Sequence, residues 1–138
     1  MAKLHEFQIK AESGHYFICK IFESKELMDA YHLQRCKDWG NNPEPLEFGA
    51  MVTPLEKRLG EVLNPEIGEA IFYKGKLGSG LISHEMLHCA LWHERLVEGN
   101  TNATFGTDCG EVEERLCHTL TEFVGQFVNK CYELNLFE

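Results

Sequence analysis

Residues 78–96 read Gly-Ser-Gly-Leu-Ile-Ser-His-Glu-Met-Leu-His-Cys-Ala-Leu-Trp-His-Glu-Arg-Leu, a run that is interrupted by two glycines and then settles into helical spacing. Gly78-Ser79-Gly80 breaks the preceding chain, and Ser79 is suited to cap a helix from about Leu81 to about Leu96. Its flanks Leu81, Ile82, Met86, Leu87, Cys89 and Ala90 are uncharged, so this helix reads as buried. Downstream, Gly99-Asn100-Thr101-Asn102 and Gly106-Thr107 form a polar loop. Asp108, three residues before Glu111, makes a capping-box-like pair, and a final helix follows to about Leu134. Val112, Leu116, Leu120, Phe123 and Phe127 form its core stripe.

Upstream the pattern changes. Glu69–Tyr73 reads as a short strand ending at the Lys74-Gly75-Lys76 turn. The segment from Pro43 to Pro65 carries a candidate strand at Leu46–Val52 and a short helical turn near Leu55–Leu63. A helix capped by Ser24 runs to about Cys36 on Leu27, Met28, Ala30, Tyr31 and Leu33, and Trp39-Gly40-Asn41-Asn42-Pro43 ends it. Leu4–Ile9 and His15–Phe22 read as a hairpin around Glu12-Ser13-Gly14. Strands come first and two long helices last, which is the order of a single α+β domain over residues 1–138.

The 138-residue length fits one domain, and 43% hydrophobic residues suffice for a core. A formal charge of −9, with no basic block, argues against nucleic acid as a partner. The N-terminal MAKLHEFQIK lacks the apolar segment of a signal peptide, and no run is long enough to span a bilayer. A soluble, cytoplasmic protein is the expectation. In that compartment Cys19, Cys36, Cys89, Cys109, Cys117 and Cys131 are expected as free thiols, and none forms a C-x-x-C pair.

The chemistry lies in His84-Glu85-Met86-Leu87-His88, an H-E-x-x-H motif. Residues four apart share a helix face, so both imidazoles can address one metal ion while Glu85 stands beside them to take a proton from water. Two histidines and a glutamate on a buried helix need a compensating partner, and a metal is such a partner. A catalytic zinc takes a third protein ligand and keeps one position open. His93, five residues beyond His88, is rotated off that face. Of the acids opening the last helix, Glu111 serves the capping box, leaving Glu113 and Glu114. The small residues Cys117, Thr121 and Gly125 on the face of Glu114 would allow close helix approach and favour it, whereas Glu113 lies nearer the core stripe.

With HEMLHCALW and EERLCHTLTEF in this order, the chain resembles gluzincin-like zinc metallopeptidases, which pair an H-E-x-x-H helix with a glutamate on the next helix. It is similar to short zinc-peptidase-like proteins of phages and mobile elements and, more distantly, to ImmA/IrrE peptidase domains. The likeness spans roughly residues 69–130 by motif order. It implies zinc bound by His84, His88 and Glu114, with Glu85 as general base.

The resulting expectation is a zinc-dependent hydrolase acting on a peptide or protein substrate. His93, His118 and Tyr73 are candidate donors to the developing oxyanion. A different class of function has the zinc closed by a fourth ligand such as His118 or Cys109, the protein acting by binding or inhibiting a host protein through its acidic surface. Pairing Cys117 or Cys109 with His118 as nucleophile and base fails on geometry, because adjacent helical residues point about 100° apart and Cys109 would have to fold back.

Overall fold

The computed structural model describes residues 4–38, 40, 49–54, 65–99 and 110–137. Its elements are β1 (Leu4–Lys10), β2 (Tyr16–Phe22), α1 (Lys25–Asp38), β3 (Ala50–Pro54), β4 (Glu66–Tyr73), α2 (Ser79–Leu96) and α3 (Gly110–Glu133). The four strands form one sheet in the order β1-β2-β4-β3. β1 and β2 are the antiparallel hairpin, β2 runs parallel to β4, and β3 runs antiparallel to β4 as a border strand. The architecture is α+β, and no helix among the described residues is long and apolar enough to cross a membrane.

Alternation along the strands sorts their side chains onto two faces. Phe7, Ile9, Phe17, Cys19, Ile21, Ala70 and Phe72 join Ile82, Met86 and Cys89 of α2 and Phe123, Phe127 and Cys131 of α3 in the main core. Phe22 and Ile71 point the other way, to Met28 of α1. That second face also buries charge. The Glu69 carboxylate accepts from the Tyr31 hydroxyl at 2.8 and 2.9 Å and from Arg35 Nη1, and Lys20 Nζ lies 3.3 Å away.

Several local expectations are met with adjusted bounds. Ser24 Oγ accepts the Leu27 N–H at 3.3 Å, as an N-cap does. Ser79 is instead the first residue of α2, behind a Gly78 N-cap without a side-chain hydrogen bond. Of the strand expected at Leu46–Val52, residues 46–48 lie outside the described residues and the observed strand is Ala50–Pro54, while Lys74–Lys76 is a 3₁₀ turn. The helical turn near Leu55–Leu63 and the Asp108 cap lie outside the described residues. Cys19, Cys36, Cys89, Cys117 and Cys131 are free, and burial pushes the Cys131 thiol up to about 12, away from thiolate chemistry.

Two details fix the sheet borders. Gly68 passes so close to β3 that an added Cβ would stand 2.3 Å from the Thr53 carbonyl oxygen. Gly68→Ala is therefore expected to cost about 1–3 kcal/mol, read as a lowered urea midpoint; an unchanged midpoint would show that β3 yields freely. At the opposite border, the Gln126 carboxamide accepts the Lys10 N–H and donates to the Lys10 carbonyl, each at 2.7 Å.

Candidate metal centre

Helix α2 carries three stripes. Ile82, Met86 and Cys89 face the sheet. Ala90 meets Val112 and Leu116 of α3, and Glu94 receives a forked contact from Arg115, with Nη2 at 2.6 Å. The third stripe, Leu81, His84, Glu85, His88, Trp92 and Arg95, lines a cavity of about 800 Å³ whose other wall is Ala50, Met51 and Val52 of β3.

Within it, the Nε2 atoms of His84 and His88 stand 3.2 Å apart, and their ligand atoms and that of Glu85 all lie within 4.8 Å of one another. Two nitrogens bound to one tetrahedral zinc at about 2.0–2.1 Å would be about 3.3 Å apart, so the spacing suits a shared divalent cation. Glu85 is only 5% exposed, and its Oε2 is buried without a hydrogen-bond partner. Both imidazoles are exposed, unlike the buried placement expected from the sequence, and with the orphaned carboxylate oxygen beside them they form a donor set that could hold a cation. Burial raises the Glu85 pKa, and the His84 charge opposes this. Burial also lowers the His88 pKa, helped by repulsion from His84 and Arg95, which keeps the ring neutral with a lone pair to offer.

The structure does not bring Glu114 to this group. Glu114 is exposed and lines a separate cavity of about 550 Å³ with His93, Glu94, Arg115 and His118. At 100° per residue, the Ala90 and Glu94 stripe that α3 packs on lies about 120–160° around α2 from His88. Cys117, Thr121 and Gly125, the small residues that favoured Glu114, are exposed, because α3 packs through its larger apolar stripe. Glu113 is exposed as well, and neither acid joins the metal-ligating group.

None of the expected oxyanion donors lines the His84 cavity. His118 Nε2 is 3.0 Å from both Glu12 Oε1 and Glu122 Oε1. Tyr73 packs toward α1. His93 is buried, with its Nε2 2.9 Å from Ser13 Oγ. Burial lowers the His93 pKa, His15 adds to this, and Glu98 and Glu94 oppose it. A histidine whose folded pKa is depressed binds fewer protons than in the unfolded chain, so its contribution to stability is lost as pH falls below the unfolded value of about 6.5. The stability of His93→Gln is expected to fall less steeply with acidification than that of the parent protein in paired denaturation curves. Parallel curves would remove His93 as a cause.

Trp92 and Arg95, to which no role is assigned from the sequence, belong to the cavity. The signal was their helical offset from His88, four and seven residues, which repeats the face the motif defines. The β3 wall had no such signal. Compared with known protein families, curated proteins and solved structures, the chain shows no match.

Proposed function

We propose that the protein is a zinc-dependent hydrolase of peptide or amide bonds. The observation that carries this reading is the 3.2 Å approach of two imidazole nitrogens beside the unpartnered buried oxygen of Glu85, at a cavity walled by a border strand. His84 and His88 would hold the ion. Zinc supplies a Lewis acid that polarises a carbonyl and makes water more acidic near neutral pH.

The remaining steps belong to the chain. Glu85, held in a largely desolvated position, has an affinity for protons above that of an ordinary carboxylate. It is therefore suited to take a proton from the attacking water and return it to the leaving nitrogen. Met51 and Val52 offer a strand along which an extended peptide can lie. Of the two candidates for a closing fourth ligand, His118 is engaged with Glu12 and Glu122, and Cys109 lies outside the described residues.

Metal analysis tests the ligand set. His84→Ala and His88→Ala are each expected to lose bound zinc, whereas Glu114→Ala keeps it in this arrangement. Zinc retained by both histidine variants would overturn the proposed centre. Loss in Glu114→Ala would show that α3 turns that carboxylate to the metal, the ligand set implied by the gluzincin-like resemblance.

A further inference from the structure

Zinc chemistry does not explain why the stripe that carries His84 and His88 continues into an indole. Trp92 is half-buried one helical turn beyond His88, and with Leu81 and Val52 it makes the cavity wall largely apolar. The Arg95 guanidinium lies over the indole, 5.5 Å from the ring centroid, which restrains the ring. Four residues of helix advance about 6 Å, and an extended peptide advances about 3.3 Å per residue. A side chain against Trp92 thus belongs to a residue within two positions of a carbonyl held at the histidine pair. The cavity of about 800 Å³ has room for several residues of peptide, and along α2 Leu81 and Trp92 flank the histidine pair, with the bulky indole on one side only.

We infer that the site selects peptides with a bulky apolar side chain within two residues of the bond it cuts, and that Trp92 is the residue that reads it. This inference rests on the hydrolase reading for its cleavage arm, and a binding arm separates the two. Indole and hydrocarbon walls gain by burying apolar side-chain surface.

The test is digestion of a mixed peptide library by the zinc-loaded protein, with cut sites mapped by mass spectrometry. Phe, Tyr, Trp, Leu and Met are expected at least tenfold over their library abundance within two residues of the cut, on one side. Trp92→Ala should flatten that preference and Trp92→Phe should keep it. If Trp92→Ala fails to fold, the graded pair Trp92→Phe and Trp92→Met reads the same dependence. In parallel, zinc-loaded Glu85→Gln is titrated with a labelled decapeptide carrying Phe and with its Ala counterpart, and the Ala peptide should bind at least tenfold more weakly. A flat cleavage profile, or equal affinity for the two peptides, overturns the inference. Absence of cleavage with the binding preference intact overturns hydrolysis and leaves Trp92 as the reader of a bound peptide.

Discussion

Glu85→Gln is expected to lower hydrolysis by roughly a hundred- to ten-thousand-fold while leaving zinc content and folding intact. Glutamine matches the glutamate in shape, so the buried position keeps its packing, but its carboxamide cannot take up and return a proton. No hydrogen bond of Oε2 is lost, because that oxygen has none to lose. The variant also removes a desolvated carboxylate, so it should be at least as stable as the parent without metal. Metal content, a denaturation curve and turnover of one peptide, measured on the same preparation, separate these effects. Undiminished turnover would remove Glu85 from the proton path and with it the proposed reaction.

The largest stability effect is expected on the opposite face of the sheet. Arg35 and Glu69 are 7% exposed each, and the carboxylate is shared with Tyr31 and Lys20. Glu69→Ala takes a buried carboxylate away from the Arg35 guanidinium and should cost about 3–5 kcal/mol, against about 5–15 kcal/mol for the whole stability of a typical domain. The double replacement Arg35→Met with Glu69→Leu should recover most of that loss, because two apolar side chains need neither charge nor solvent. Urea midpoints of the single and double variants decide the matter. A loss below about 1 kcal/mol in Glu69→Ala would mean that solvent already compensates the arginine, as at an exposed pair.

Periodic elements were legible in the residues. Alternation in Leu4–Ile9 and His15–Phe22 around a Ser-Gly turn specifies the hairpin, and the stripe from Val112 to Phe127 specifies the packed face of α3. The His84–His88 pairing was equally legible, since a four-residue offset places two side chains together whatever surrounds the helix. The placement of Glu114 was not. It depends on which flank of α2 receives α3, and that choice is made by Ala90 and by the Glu94–Arg115 contact, neither of which has a local period. The same limit applies to Glu69, whose strand reads as apolar while its partners come from α1 and β2. The β3 wall likewise depends on a long-range pairing with β4.

Gln126 has a consequence for how copies of this protein meet. Its carboxamide imitates a peptide unit and occupies both polar groups of Lys10 on the outermost strand. A neighbouring molecule approaching that flank would have to displace it before forming a ladder there. Lateral stacking of such sheets into an open-ended fibre requires both flanks of every molecule to accept a neighbour. At Lys10 that pairing is already taken by the protein's own side chain, so the C-terminal end of β1 is closed to such a neighbour.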